Sequence, residues 1–139
     1  MKLSTRTRYA VRGLLDLAEH GMDGVVLVGD IARRQEVAES YLANIFSCLC
    51  QAGIVEGVRG RGGGYRLLRP PGQITVLEVA EAMDGDLALT VCVRSMETCH
   101  RAADCPARLL WKQSTEALRR MWAATTIKHL LAGHEVESA

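Results

Sequence analysis

The stretch of chain that decides the fold runs from Glu39 to Leu68 and reads ESYLANIFSCLCQAGIVEGVRGRGGGYRLL. Its first part carries apolar residues at the three- and four-residue steps of one helix face, namely Leu42, Ile45, Phe46 and Leu49. This spacing predicts an amphipathic helix that begins near Glu39, and Gly53 supplies its end.

A glycine-rich hairpin is predicted directly after this helix. Two short strand-like runs, Ile54 to Val58 and Tyr65 to Leu68, flank the sequence Arg59-Gly60-Arg61-Gly62-Gly63-Gly64. Because glycine tolerates the backbone angles of tight turns, we expect the runs to pair as antiparallel strands with two arginines at the tip. A hairpin of this kind after a helix is typical of a wing.

Shorter signals upstream complete a helix-turn-helix. The apolar run Val25 to Val28 precedes a second helix, expected around Asp30 to Arg34, and Glu36-Val37 form the turn before the Glu39 helix. Further upstream, Ser4 is expected to cap a first amphipathic helix that ends near Gly21. Its apolar positions are Tyr9, Ala10, Leu14, Leu17 and Ala18.

The second half of the chain predicts two more helices. Thr75 and Glu78 form a capping box for the first, and Pro106 suits the first position of a long helix to about Ala124. The long helix has apolar positions that predict a partner surface: Leu110, Leu118, Met121 and Trp122. The predicted fold class is therefore mainly α with a small β-hairpin. Residues 1–72 form the winged helix-turn-helix, and 73–139 hold a helix, a cysteine loop (92–105) and the long helix.

Composition indicates a cytoplasmic globular protein. The 139 residues are 48% hydrophobic and 24% charged, which fits one compact domain with an added helix. We find no run of the ~20 apolar residues that crosses a membrane, and no signal peptide. The five cysteines are an odd number, and in a reducing compartment thiols favour metal binding or redox chemistry over disulfides.

The charge of the chain is unevenly distributed although its net value is only +1. Residues 1–70 hold ten Lys and Arg against seven Asp and Glu, whereas residues 71–139 hold seven against nine. Because phosphate contacts depend on local basic patches, this distribution is compatible with DNA binding by the first half.

The candidate DNA-binding residues are Ser40, Tyr41, Asn44, Arg59 and Arg61. The first three lie at the start of the predicted recognition helix, where side chains reach base edges or phosphates of the major groove. Asparagine suits paired hydrogen bonds to adenine, and the two arginines at the hairpin tip suit a narrow minor groove.

The candidate metal ligands are Cys92, Cys99 and Cys105. They are separated by six and then five residues, which lets a flexible loop fold around one inorganic cluster. A zinc site more commonly uses closely spaced Cys-x-x-Cys pairs, which the sequence lacks. An iron-sulfur cluster is therefore favoured, and cysteine ligation with one labile site favours 4Fe-4S over 2Fe-2S.

Nearly the whole chain resembles the IscR, NsrR and RirA class of winged-helix transcription regulators, the Rrf family. The resemblance is carried by Met1-Lys2-Leu3-Ser4 with Tyr9-Ala10, by the cysteine loop, and by the segments Ser40-Tyr41-Leu42, Gly53-Ile54-Val55 and Val58-Arg59-Gly60-Arg61-Gly62-Gly63-Gly64-Tyr65. It implies a homodimer with a long crossed dimerisation helix that binds double-stranded DNA at pseudo-palindromic operators.

The sequence departs from these relatives at the fourth cluster ligand. IscR-like members have a histidine where this chain has Arg108, and NsrR-like members use an aspartate of the other subunit where this chain has Arg8. A guanidinium stays protonated and cannot bind a metal. Glu97, His100, Asp104, an external ligand or an open iron remain as alternatives.

The predicted function is a DNA-binding transcription regulator whose operator affinity depends on an iron-sulfur cluster that senses redox state, nitric oxide or iron. One alternative is a cluster-free regulator that responds to thiol oxidation or zinc, in which Cys48 and Cys50 of the recognition helix become relevant. Another is a cluster-carrying protein-interaction module. An enzyme is not expected, because we find neither a nucleophile with its base nor a nucleotide-binding loop.

Overall fold

The structure of the chain is a computed structural model that describes residues 3–21, 24–60 and 64–133. Its helices are α1 (Thr5–His20), α2 (Val28–Gln35), α3 (Glu39–Gln51), α4 (Val76–Asp84), α5 (Val91–Arg94), α6 (Pro106–Ala124) and α7 (Ile127–Leu131). The strands β1 (Val55–Val58) and β2 (Gly64–Leu67) form a hairpin, and short 3-10 helices span Pro71–Gln73 and Met96–Thr98. The predicted fold class, mainly α with a small β-hairpin, is confirmed.

Helix α1 begins and ends where the sequence predicts. The Ser4 hydroxyl accepts a hydrogen bond from the backbone N–H of Thr7 at 3.0 Å, and Gly21 follows the last helical residue. Gly13 allows close packing against α3, because a Cβ at this position would lie only 2.9 Å from the Phe46 ring. The buried apolar face of the helix consists of Ala10, Leu14 and Leu17.

The helix-turn-helix is formed by α2, a turn at Glu36, and α3. Glu36 has a left-handed backbone with φ 55°, alone among the described non-glycine residues. The backbone N–H of Val37 donates to the carbonyl of Ala32 at 3.0 Å, which closes the turn. The predicted apolar face of α3 is buried completely and comprises Leu42, Ile45, Phe46 and Leu49.

The β1–β2 hairpin makes contacts with the rest of the fold. β1 pairs antiparallel with β2, with Val55 opposite Leu67. Val26 and Tyr65 exchange two backbone hydrogen bonds of 2.9 and 2.8 Å, and the Tyr65 ring centroid lies 4.9 Å from that of Phe46. The position of the wing is therefore set by contacts with α3 and with the segment before α2.

Helix α4 starts with the predicted capping box. The backbone N–H of Glu78 donates to Thr75 Oγ1 at 3.1 Å, and the N–H of Thr75 donates to Glu78 Oε2 at 3.1 Å. Val79 and Met83 of this helix belong to the same hydrophobic core as the buried residues of α1 and α3. The helix thus extends the core of the winged helix-turn-helix.

A short C-terminal helix that the sequence pattern does not predict, α7, returns to α1. The N–H of Ile127 donates to the carbonyl of Ile74 at 2.9 Å, and the N–H of Val76 donates to the carbonyl of Thr125 at 2.9 Å. Ile127 is fully buried in the common core. One core therefore draws on residues from both sides of position 72, where the sequence places a boundary.

The predicted long helix is confirmed as α6, and several of its apolar side chains are exposed to solvent in the single chain. Within the helix, only Thr115 is buried. Leu109, Leu110 and Trp111 are 58%, 54% and 40% exposed in the single chain. In the part of the chain that the structure describes, no helix is long and apolar enough to cross a membrane.

Candidate functional site

The exposed side of α3 carries two of the predicted DNA-binding side chains. Ser40 and Asn44 are both exposed, and residues four apart lie on the same face of a helix. Tyr41 is half-buried and packs edge-on against Tyr9 of α1, with ring centroids 6.1 Å apart. The contact with Tyr9 thus holds Tyr41 in place, next to the exposed polar surface formed by Ser40 and Asn44.

The start of α3 also presents backbone donors. Its N-cap residue is Ala38, and no side chain of the described residues makes a capping hydrogen bond there. The first backbone N–H groups of a helix lack partners within the helix and are frequent ligands of phosphate oxygens. The surface around Ser40 therefore offers main-chain as well as side-chain hydrogen-bond donors.

The hairpin tip contributes one described arginine. Arg59 is exposed directly after β1, and Gly60 has φ +106°, a backbone conformation that favours glycine. Arg61 lies outside the described residues. Arg66 of β2 pairs with Glu56 across the hairpin, with Nη2 and Oε2 2.7 Å apart. Glu56 thus partly compensates the charge of Arg66, whereas the positive charge of Arg59 lies near the hairpin tip.

A buried carboxylate that sequence reasoning missed joins α1 to α2. Asp16 accepts hydrogen bonds from Arg34 Nη2 at 2.6 Å and from Gln35 Nε2 at 2.9 Å. Burial alone would raise the pKa of Asp16, but the bonds from Arg34 and Gln35 and the nearby positive charge hold it below its ordinary value. The sequence signal was an acidic residue within the apolar stripe of α1, whose partners lie 18 and 19 residues away.

The three loop cysteines lie in different local structures. Cys92 is in α5, Cys99 follows the second 3-10 helix, and Cys105 is the N-cap residue of α6. All three are free thiols and half-buried. In the described part of the chain, no three His, Cys, Asp or Glu side chains are grouped so that they hold a metal ion. The structure therefore presents the three thiols on one loop without bringing them together as a formed metal site.

The alternatives for a fourth ligand differ in exposure and contacts. Glu97, His100 and Asp104 are all exposed on the loop. Arg108, which cannot ligate, instead donates from Nε to the carbonyl oxygen of Cys92 at 3.0 Å. Arg8 is exposed on α1, where its Nη2 donates to Thr5 Oγ1 at 3.2 Å. Of these residues, only Arg108 makes a hydrogen bond to one of the three cysteines.

Two further cysteines lie in the second half of α3. Cys48 and Cys50 are half-buried free thiols that pack against the hydrophobic core. Arg6 Nη2 of α1 donates to Cys48 Sγ at 3.0 Å. Burial raises the pKa of Cys50, although a hydrogen bond from the backbone of Gly57 opposes the shift. Cys50 is thus favoured as a neutral thiol, and Cys48 has a cationic neighbour.

Known proteins of the same sequence family resemble the chain along almost its full length. The Rrf2 family, described as iron-dependent transcriptional regulators, matches residues 3–133. The transcriptional regulator IscR of Xenorhabdus nematophila is 38% identical over 136 residues, which cover 98% of this chain and 82% of that protein. The resemblance noted from the sequence is confirmed.

Solved structures of the same kind share the fold. CymR, the global cysteine regulator of B. subtilis, has a TM-score of 0.80 at 27% identity, covering 97% of this chain and 99% of that chain. IscR of T. potens has a TM-score of 0.78 at 29% identity, covering 97% and 89%. The family match, the curated relative and the fold agree, and this chain belongs to the Rrf2 family of transcriptional regulators.

Proposed function

We propose that this chain is a homodimeric DNA-binding regulator whose operator affinity is set by an iron-sulfur cluster bound through Cys92, Cys99 and Cys105. The observation that carries the proposal is the presence of a winged helix-turn-helix and three free thiols on one loop in the same chain. Membership of a family described as iron-dependent transcriptional regulators supports both halves of it.

The DNA contacts are assigned to α3 and the wing. Because the apolar face of α3 is locked in the core, its opposite face is the one that meets the major groove. There Asn44 reads bases, while Ser40 and Tyr41 hold the phosphate backbone. Arg59 and Arg61 enter the minor groove beside it.

The dimer is assigned to α6. The helix stands with Leu109, Leu110 and Trp111 uncovered in the single chain, an arrangement that a second copy of the same helix would cover. A symmetric pair of chains presents two recognition helices related by a two-fold axis. Such a pair binds an operator whose two half-sites repeat with the same symmetry.

The chemistry of the donor set fits an iron-sulfur cluster. Thiolates are the usual ligands of such clusters, and none of the three cysteines is consumed in a disulfide. Because the thiols are not grouped in the described conformation, ligation requires the loop to rearrange. Three protein thiols leave one coordination position without a cysteine, which favours a 4Fe-4S cluster over 2Fe-2S. When bound, the cluster supplies iron that is sensitive to redox state and to small external ligands.

The switch is assigned to the order of the cysteine loop. The loop connects α4, which shares the core of α1 and α3, to α6, which forms the proposed dimer. When the loop becomes more or less ordered, the orientation of the two DNA-binding surfaces relative to the dimer axis therefore changes. Allosteric coupling of ordinary strength changes affinity about 5- to 150-fold.

The experiment that tests the cofactor is an anaerobic visible spectrum with iron and sulfide counts. The matched variant replaces Cys92, Cys99 and Cys105 by alanine. We expect a brown wild-type protein that contains iron and sulfide, and a colourless variant. A wild type that stays colourless after anaerobic reconstitution contradicts the proposal.

A cluster-free thiol regulator is the second candidate, favoured by the contact between Arg6 and Cys48. The Arg6 guanidinium lies 3.0 Å from the sulfur of a free, half-buried cysteine, and accessible cysteines beside basic side chains are frequent sites of oxidation. Modification of Cys48 on α3 would disturb the helix that binds DNA. If this function is correct, replacing Cys48 and Cys50 by serine abolishes the oxidant sensitivity of DNA binding in protein that contains no iron.

A further inference from the structure

Three side chains of α6 hold the segment that leads into the cysteine loop. Arg108 Nε donates to the carbonyl of Cys92 at 3.0 Å, and Thr115 Oγ1 accepts from the N–H of Leu89 at 3.1 Å. Arg119 Nη1 donates to the carbonyl of Leu87 at 3.5 Å, the longest of the three bonds. Residues 108, 115 and 119 follow helical spacing along one face of α6. Their partners come in the reverse order, at positions 92, 89 and 87, so the segment 87–92 runs antiparallel to α6.

Thr115 is the central contact of this set. It is 4% exposed, and its hydroxyl also donates to the carbonyl of Trp111 at 2.8 Å. The donor bond fixes the direction of the hydroxyl, so its lone pairs are available to the Leu89 amide. Because the site is buried, an unpaired amide there would not be compensated fully by water.

Arg119 extends the contacts to α4. Its Nη2 lies 2.9 Å from Glu81 Oε1, an ion pair rather than an aligned hydrogen bond. Both side chains are about one third exposed, 37% and 33%. α4 contributes Val79 and Met83 to the core shared with α1 and α3. The same arginine therefore joins the loop segment, the long helix and the body of the winged helix-turn-helix.

We propose that Arg108, Thr115 and Arg119 form a polar latch that holds Cys92 in register on α6 and connects the cysteine loop to α4 through Glu81. Arg108, which cannot serve as a metal ligand, is a positioning residue for the Cys92 backbone. The latch deepens the proposed function, since the loop it holds carries the candidate cluster ligands. Its contacts are made by protein atoms alone, so it exists without a cluster.

Amide hydrogen exchange on the full chain, freed of metal by chelation, tests the latch independently of any cluster. Thr115→Val keeps the shape of the side chain and removes the hydroxyl, whereas Thr115→Ser retains the hydroxyl. We expect Thr115→Val to speed exchange of the Leu89 amide about fivefold or more, the effect of one ordinary hydrogen bond. Thr115→Ser restores the wild-type rate.

Two arginine variants of α6 provide the matched comparison. Arg119→Lys removes the two-branched contact, while Arg120→Lys makes the same change on the exposed neighbouring position. We expect Arg119→Lys to speed exchange across residues 87–92 and Arg120→Lys to leave it unchanged. Equal exchange in Arg119→Lys and wild type, or equal acceleration by both variants, overturns the proposal.

Alkylation of the thiols separates positioning from general loss of stability. In metal-free Arg108→Lys, Cys92 should react about fivefold faster relative to Cys48, because the part-buried hydrogen bond that holds its backbone has been lost. The melting temperature should change little, since only one contact is altered. An unchanged ratio of the two rates, or equal acceleration at both cysteines, contradicts the role of Arg108. Absence of a cluster from the wild type would refute the proposed function and leave these results unaffected.

Discussion

The Asp16 carboxylate of α1 accepts one bifurcated hydrogen bond from Arg34 Nε, at 3.1 and 3.0 Å to its two oxygens, and a second bond of 2.6 Å from Arg34 Nη2; Asp16 is buried while Arg34 is partly exposed. The pair ties the first helix of the fold to the first helix of the helix-turn-helix. A buried carboxylate without its partner is costly, so this contact is a structural requirement of the DNA-binding half.

Replacing Asp16 by asparagine should lower the free energy of unfolding by roughly 1–3 kcal/mol, the cost of losing charged hydrogen bonds at a buried position with a partly exposed partner. Chemical denaturation of the variant measures the loss. Asp30→Asn is the matched control, because Asp30 pairs with Arg33 of the same helix while the Arg33 side chain is 74% exposed. The control should change stability by about 0.5 kcal/mol or less. Equal effects of the two substitutions would show that burial of Asp16 is unimportant.

The same carboxylate predicts a pH dependence of a defined sign. The pKa of Asp16 is lowered in the folded chain from its ordinary value of 3.8. Its contribution is therefore fully present above the unfolded value and is lost as pH falls through the folded value. The stability difference between wild type and Asp16→Asn should be constant from about pH 7 to about pH 5 and shrink below about pH 4. A difference that persists or grows in acid argues against the pair.

Asn44 is expected to carry base discrimination. Asn44→Ala should reduce the preference for the correct base pair at one position of each half-site by about 5- to 150-fold, which corresponds to about 1–3 kcal/mol. Affinities for a selected duplex and its single-base variants, at one fixed salt concentration, measure the effect. Gln51→Ala at the exposed far end of α3 should leave the preference intact. Unaltered discrimination in Asn44→Ala would remove Asn44 from the recognition surface.

The exposed apolar side chains of α6 predict which substitution breaks the dimer. Leu110→Glu should weaken self-association roughly 100-fold or more, because an uncompensated charge buried at an interface costs about 3 kcal/mol or more. Folding should be retained, since Leu110 is 54% exposed in the single chain. Sedimentation equilibrium compares it with Ala123→Glu, a charge added at an exposed position on the opposite side of the same helix. A Leu110→Glu protein that remains dimeric places the interface elsewhere.

Much of the fold follows from local signals in the sequence. Ser4, the Thr75–Glu78 capping box and Pro106 each mark a helix start that the structure confirms. The buried face of α3 follows from its periodicity alone. These features are predictable because each depends on residues within one or two turns of the chain.

Other features depend on contacts between distant residues. α7 has only five residues, so its periodicity is too short to detect, and its position is set by Ile127 packing beside Ile74. The partner of Asp16 is likewise invisible in sequence, because Arg34 comes near only after α1 and α2 pack. For the cysteine loop, the number and spacing of the cysteines predict thiol ligands. The hydrogen bond from Arg108 to the Cys92 carbonyl is visible only in the structure.

Control of DNA binding by the cluster is tested by measuring the operator affinity of one protein preparation with and without the cluster. Fluorescence anisotropy would compare anaerobically reconstituted protein, chelated protein, and the Cys92, Cys99 and Cys105 to Ala variant. The duplexes are selected from random sequence separately by the reconstituted and chelated forms. We expect the reconstituted and chelated forms to differ about 5- to 150-fold in affinity for the same duplex, and the variant to bind equally after both treatments. Equal affinity of the two wild-type forms on every selected duplex would contradict control by the cluster.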